Sequence, residues 1–319
     1  MNLHQTPNSS HNTYIDKVNH HVLSAIGNTP LVNVLFDKSL TLYAKLEYLN
    51  PGGSIKDRSA LYMIEHAEKE GILKPGGTII DASSGNQGIA LAMIGAVKGY
   101  KVIITTTKKI SLEKKQTMQA YGAEVIICQS TPYIEHPESY HSVACTLHKE
   151  TLNSFMPNQY FNPLNAQAHY SLTGPEIWNQ THGRITHFFA AAGTGGTISG
   201  VGKYLKEQNP AIKVIALDAQ NSFYSTKGNP LPYAVEGMGI DFDSGFISYD
   251  LIDEVIPVSD EHAFGMLQPL ARQHGLLVGL TSGAVAWGVQ QYLPKLNTND
   301  FSVMIFGDSG RAYLSKNVY

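Results

Sequence analysis

This sequence predicts an α/β fold built as two doubly wound domains, each a mostly parallel sheet flanked by helices. Three observations carry that expectation. From residue 78 onward, short apolar runs of strand length alternate with segments of helical period. The strand runs are apolar at nearly every position, as parallel strands covered on both faces require. At 319 residues, 43% of them hydrophobic and 15% charged, the chain is long enough to bury two cores.

Residues 1–20 are polar, rich in Asn, Ser and His and without periodicity, which predicts a mobile tail. The irregular spacing of His4, His11, His20 and His21 favours that tail over a set of metal ligands. Residues 22–35 read as a short helix, a turn at Gly27-Asn28-Thr29-Pro30 and a strand, and 42–46 as a further strand. Residues 50–58, Asn-Pro-Gly-Gly-Ser-Ile-Lys-Asp-Arg, form a glycine turn that opens an amphipathic helix over 57–70, with Ala60, Leu61, Ile64 and Ala67 on one face. Strands are expected at 78–82, 101–106, 124–128, 187–192, 213–218, 254–258 and 302–306. Helices are expected between and after them at 88–98, 112–121, 138–150, 168–180, 197–208, 261–274 and 283–293. The least periodic region, 156–165, is the expected boundary, giving one domain over 45–155 and a second over 21–44 and 156–319. The Gly- and Pro-rich stretch 221–247 reads as a structured loop over a site.

Composition narrows the function classes. A formal net charge of −3 provides no general attraction for nucleic acid or an acidic membrane surface, so neither partner is expected. No apolar run approaches the roughly 20 residues of a membrane helix, and the first residues lack the basic-then-apolar pattern of a signal segment. Cys128 and Cys145 have neither metal-ligand spacing nor a disulfide framework, which suits a reducing compartment and makes the cytoplasm the expected location.

Chemistry concentrates where strands are expected to end and helices to begin, as ligands do in open α/β sheets. Lys56 stands at a helix N-terminus, where the macrodipole and partial burial both disfavour an ammonium and favour a nucleophilic amine. Such a lysine makes Schiff bases, although on this stretch alone a solvated lysine reads equally well. Ser83-Ser84-Gly85-Asn86-Gln87-Gly88 gathers hydroxyls, amides and glycines at a helix start. That suits a carboxylate or phosphate, or plain capping by Asn86 or Ser84. Gly193-Thr194-Gly195-Gly196-Thr197 reads as a phosphate cup of converging backbone amides with two hydroxyls. A dinucleotide fingerprint there fails, because its third glycine position holds Ile198. Gly279-Leu280-Thr281-Ser282-Gly283 offers a hydroxyl to a ring nitrogen or to a helix cap. Together, an activated lysine, a phosphate cup, a carboxylate loop and a hydroxyl turn suit pyridoxal 5′-phosphate binding an amino acid.

With these four motifs in this order, the sequence from about Leu23 onward resembles the fold type II (tryptophan synthase β-like) pyridoxal-phosphate enzymes, specifically the cysteine synthase and cystathionine β-synthase group. The resemblance implies Lys56 as the Schiff-base lysine, Asn86 on the ring hydroxyl and Thr281 on the pyridine nitrogen. It implies Gly193, Thr194, Gly195, Gly196 and Thr197 on the phosphate. Ser83, Ser84, Gln87 and Gln159 are implied at the substrate carboxylate, with Tyr160, Glu236 and Gly237 also on the substrate side. A cofactor between the two domains, amino-acid and thiol substrates and a homodimer follow from the same resemblance. His136-Pro137-Glu138-Ser139-Tyr140, Val235-Glu236-Gly237-Met238-Gly239 and Asp308-Ser309 are similar to cystathionine β-synthases. Asn162-Pro163 and Thr173-Gly174-Pro175-Glu176-Ile177-Trp178 look more like cysteine synthase. Four positions depart from the pattern: Gln87 stands for a usual threonine, Thr281 for a serine, Ile240 for the tyrosine of animal β-synthases and Gly307 for a proline. Neither the Cys and His context of the animal haem module nor paired regulatory domains are found in the sequence, so neither haem nor adenosylmethionine control is expected.

The expected reaction is β-replacement on L-serine with homocysteine to give L-cystathionine. Lys56 takes the Cα proton and protonates the leaving hydroxyl, and a thiolate then adds at Cβ. Cysteine synthase chemistry with O-acetylserine and sulfide is the nearest rival. A serine or threonine dehydratase and a non-catalytic binding module that kept the fold stand further off.

Overall fold

The computed structural model describes residues 21–131, 133–242 and 249–319. The tail expected over 1–20, and residues 243–247 of the expected loop, lie outside the described residues. Ten strands are found among the described residues: β1 (Leu31–Asn33), β2 (Thr41–Leu46), β3 (Thr78–Ala82), β4 (Lys101–Thr107), β5 (Glu124–Cys128), β6 (Ser154–Phe155), β7 (His187–Ala191), β8 (Lys213–Ala219), β9 (Glu254–Val258) and β10 (Phe301–Phe306). They form a six-stranded sheet in the order β1-β2-β10-β7-β8-β9 and a four-stranded sheet in the order β5-β4-β3-β6. Every pairing is parallel except that of β1 with β2. Strand β2 runs to Leu46 within the larger sheet, so a division at residue 45 cuts a strand.

Both sheets are covered on both faces. In the larger one, successive residues point to opposite sides, as the period of a strand dictates. Phe189, Ile215 and Leu217 pack with Leu267 and Leu270 of α9 (Leu267–His274) and Val285 and Val289 of α10 (Leu280–Tyr292). Their neighbours Phe188, Val214 and Ala216 pack with Ile177 of α6 (Gly174–Gln180) and Ile198, Val201 and Leu205 of α7 (Gly196–Gln208). In the smaller sheet, Ile79, Val102 and Ile104 meet α1 (Lys56–Lys69), α2 (Asn86–Lys98) and α3 (Leu112–Ala120), and Ile80 and Ile103 meet α4 (Tyr140–Glu150). Each fully buried Ile or Leu contributes about 1.5–3 kcal/mol of transfer free energy, which is what holds helices to sheet. The two-sheet α/β architecture expected from the alternating pattern is therefore the one observed.

Three local features depart from the periodicity reading. The helix expected over 168–180 is α5 (Leu164–Ala168), a π-helical segment at His169–Thr173, and α6. Its close packing on α7 explains the distortion: a Cβ at Gly200 would lie 2.2 Å from the Ala166 carbonyl and 2.9 Å from the His169 side chain. The helix expected over 261–274 divides into α8 (Asp260–Gly265) and α9 at Met266. Along α1 the buried face is Ala60, Met63, Ile64 and Ala67, with Leu61 only half-buried.

Candidate active site

The carboxyl ends of β7 and β10, the start of α1 and the start of α2 converge on one cleft. Lys56, the first residue of α1, lines it, and its amine lies 3.5 Å from the Thr194 hydroxyl. Lys56 is half-buried, and desolvation pulls its amine down to about 8, so a substantial neutral fraction exists at physiological pH. The turn before it is shaped by glycine. Gly52 donates its N–H to the Asp57 carboxylate at 2.6 Å, and a Cβ on Gly52 would lie 2.4 Å from the other carboxylate oxygen. Burial pushes Asp57 up to about 7.

Across the cleft, Gly193, Thr194, Gly195 and Thr197 line the opening of α7. Gly195 is left-handed at φ 85°, and a Cβ at Gly193 would lie 2.5 Å from the Gly237 carbonyl. Gly196 is buried behind them, where a Cβ would lie 2.3 Å from Asn165 Oδ1. Side chains are thus excluded at Gly193 and Gly196, and the start of α7 presents its N-terminal amides beside the Thr194 and Thr197 side chains to the cleft. Thr281, in the first turn of α10, lines the same cleft, as do Asn86, Gly237 and Asp308.

The remaining sequence-predicted residues lie outside this inner lining. Ser83 is buried at the end of β3, where its oxygen accepts the N–H groups of Gly85 at 3.1 Å and Gly88 at 2.9 Å. It is Ser83, not Asn86 or Ser84, that caps α2, and Ser84 is exposed. Gln87 is buried at 2% exposure and turned toward Asp81, with no hydrogen bond completed by either end of its amide. Burial raises Asp81 to about 7 against the opposing bonds from the Ala82 and Asn158 amides and the nearby Gln87. Gln159 reaches the Ala82 carbonyl at 3.4 Å, and the Tyr160 hydroxyl meets that of Tyr140 at 3.2 Å. Glu236 is ion-paired with Lys114 at 2.8 Å and with Lys316.

Two residues that sequence reasoning passed over brace the loop. Asn165 donates to the Thr194 hydroxyl at 2.9 Å and to the Gln159 carbonyl at 3.0 Å. His169 places Nε2 3.3 Å from the Thr197 hydroxyl and Nδ1 2.9 Å from that of Thr173. Burial, with the charges of Lys56 and Arg58, holds this imidazole well below its usual range, so it is neutral. Asn165 sits in the aperiodic stretch, and His169 in the expected helix, where only the polarity of a buried position marks them.

Helix α1 is anchored by a buried ionic cluster. Arg58 meets Glu47 through Nε at 2.7 Å and Nη2 at 2.9 Å, and Glu176 through Nη1 at 2.8 Å and Nη2 at 2.9 Å. Lys45 is also bonded to Glu176 and donates to Gln180 at 2.8 Å. Two cations and two carboxylates thus balance inside the protein, tying the segment that carries Lys56 to α6 and β2.

A parallel two-sheet fold with a half-buried lysine facing a glycine-lined anion cradle defines the class of protein. The chain belongs to the pyridoxal-phosphate dependent enzyme family, whose model matches residues 22–308. It is an enzyme of the pyridoxal-phosphate-dependent β-synthase kind. The chain is 43% identical over 304 residues to a cystathionine beta-synthase of Apis mellifera, covering 92% of this chain and 60% of that relative's length. It is 40% identical over 302 residues to a cysteine synthase of Staphylococcus aureus, covering 93% of this chain and 96% of the other. The crystal structure of an O-acetylserine-dependent cystathionine beta-synthase from Helicobacter pylori superposes with a TM-score of 0.87 at 36% identity, over 95% of this chain and 99% of that one. Among the described residues no helix is long and apolar enough to cross a membrane.

Proposed function

We propose that the enzyme replaces the β-hydroxyl of L-serine with homocysteine to give L-cystathionine, using pyridoxal phosphate carried covalently on Lys56. The observation that carries this reading is the Lys56 amine sharing one cleft with the glycine loop at the start of α7. The cleft fits the cofactor: Gly193 packs on the Gly237 carbonyl and Gly196 on Asn165 too closely for a Cβ, Gly195 is left-handed, and the loop they form lines the cleft at the start of α7 with its backbone and the Thr194 and Thr197 side chains. When bound, the cofactor supplies an electron sink at the amino-acid Cα. Gly193, Thr194, Gly195, Gly196 and Thr197 would hold its phosphate, Asn86 its ring hydroxyl and Thr281 its ring nitrogen.

Lys56 takes the proton from Cα and returns one to the departing hydroxyl at Cβ, tasks that need an amine titrating near neutrality. Thr281 would offer the ring nitrogen a neutral hydroxyl in place of a carboxylate, which would disfavour protonation there and so favour loss of the β-group over transamination. Ser83, Ser84, Gln87 and Gln159 would hold the substrate carboxylate, with Tyr160, Glu236 and Gly237 beside them. Both lone pairs of the Ser83 hydroxyl accept backbone amides, so its proton is the part left for an anion. A homodimer with the cofactor between the two domains belongs to the same proposal and rests on the resemblance, while the domain bounds 45–155 and 21–44 plus 156–319 rest on the aperiodic stretch and the cytoplasm on the spacing of Cys128 and Cys145. Cofactor-free protein is expected to capture pyridoxal phosphate faster as pH rises through about 8, because the neutral amine is the nucleophile. A capture rate that is flat across that range speaks against Lys56.

A second reading, cysteine synthesis from O-acetylserine and sulfide, is supported by the near-complete coverage of the S. aureus cysteine synthase; the H. pylori structure, an O-acetylserine-dependent cystathionine beta-synthase, supports O-acetylserine as the first substrate but not sulfide as the second. Glu236, Asp308-Ser309 and the honeybee relative favour cystathionine. Purified protein with pyridoxal phosphate is to be given L-serine plus homocysteine, or O-acetylserine plus sulfide, and the products quantified by mass spectrometry. Preferential cystathionine formation is expected. Preferential cysteine formation selects the second reading, and neither product with a bound-cofactor band present would sink β-replacement altogether.

A further inference from the structure

We infer that Asp308 is a positioning residue for Asn86: its carboxylate fixes which end of the Asn86 amide faces the cleft. This rests on the reading that the cleft holds pyridoxal phosphate with Asn86 at its ring hydroxyl. Asn86 Nδ2 donates to Asp308 Oδ2 at 2.7 Å. An amide has one accepting and one doubly donating end, whereas a carboxylate only accepts, so the nitrogen must face Asp308. Among the described residues that nitrogen has no second protein partner, and one N–H is left for whatever fills the cleft that both residues line. A donor suits a ring oxygen carrying negative charge. The reversed amide would set its carbonyl lone pairs against that oxygen.

Asp308 is itself held in place. It is 2% exposed, and the Tyr313 hydroxyl donates to the same Oδ2 at 2.5 Å. Lys114 donates to Tyr313 at 2.9 Å and pairs with Glu236 at 2.8 Å. The backbone N–H of Gly279 donates to the Asp308 carbonyl at 2.9 Å, and a Cβ on Gly279 would lie 1.9 Å from Oδ1. No side chain is tolerated where the carboxylate sits. Burial, with the charge of Glu236, raises Asp308 overall, opposed by the charge of Lys114 and the hydrogen bonds of Tyr313 and Asn86.

The test compares Asp308→Ala and Asp308→Asn in the full chain, reading the visible absorbance of bound pyridoxal phosphate and its dissociation constant. Asp308→Ala is expected to shift the band and weaken binding about tenfold, the effect of losing one charge-assisted hydrogen bond. Asp308→Asn keeps an acceptor for Nδ2 and is expected to stay within about threefold of the wild type. In an Asn86→Ala background, Asp308→Ala is expected to add nothing, because the residue acts through that amide. A wild-type band and affinity in Asp308→Ala overturns the inference, as does an additional loss in the Asn86→Ala background. Should Asp308→Ala not fold, Asp308→Ser is read by the same criteria. A wild-type protein that shows no band with the cofactor overturns the cofactor reading itself; a normal wild-type band with an indifferent Asp308→Ala overturns only the role of Asp308.

Discussion

Lys56→Ala is expected to lose turnover by about a thousandfold or more and to lose the visible band of the bound cofactor, while its melting temperature stays at or slightly above that of the cofactor-free wild type. The sign of the stability change follows from the site. Lys56 is half-buried with a single weak contact, to Thr194 at 3.5 Å, and desolvation already disfavours its charge. Alanine removes that penalty and is the best helix former at the first position of α1. Fold and function therefore separate at this residue. The checks are kinetics, an absorbance scan and a thermal melt on one preparation, and undiminished turnover would falsify the assigned role.

Arg58→Ala is expected to act in the opposite way, on the fold first, lowering stability by about 3–5 kcal/mol in urea unfolding. It strands the Glu47 carboxylate, which is fully buried, and half-strands Glu176, which keeps Lys45. Burial alone would raise the Glu176 carboxyl, but the bonds and charge of Arg58, with Lys45, outweigh it and leave it at about 2. A carboxyl depressed on folding stabilises above its unfolded pKa of about 4.5 and loses that contribution as pH falls toward about 2. The gap between Arg58→Ala and the wild type should therefore narrow in that acid window. Adding Glu47→Gln should recover part of the loss, since one stranded charge is then gone. A loss below about 1 kcal/mol would show the cluster to be marginal.

The sequence disclosed the parallel strands well because their signal is local: β3, inside its sheet, and β5 and β9, at the edges, have the bounds expected from apolar runs alone. Strand β6 was illegible, since two residues carry no period and it exists only by pairing with β3. Helix α10 begins three residues before the expected start, which moves Thr281 from a turn into a first helical turn. Around the cleft, glycine loops were readable because glycine marks backbone geometry directly. Partners distant in the chain were not. Nothing near Glu236 announces Lys114, nothing near Asn86 announces Asp308, and Gln87 faces Asp81 because the helix buries that side. Hydroxyl-rich motifs name the donors and leave open whether backbone or ligand claims them, as Ser83 shows.

The strand order imposes a timetable on biosynthesis. The four-stranded sheet is composed of residues 78–155, so a ribosome delivers all of it in one continuous stretch. The six-stranded sheet is closed differently: β2, among the first strands made, lies between β1 and β10, the last. At about 5–20 residues per second, β2 waits roughly 10 to 50 seconds for β10. During that wait Lys45 stands without Glu176 until α6 arrives, a charge within an otherwise largely apolar strand, the kind of residue that disfavours edge-to-edge pairing. The cation that ties β2 to α6 in the finished enzyme is thus the last charge of the early strand to find its partner.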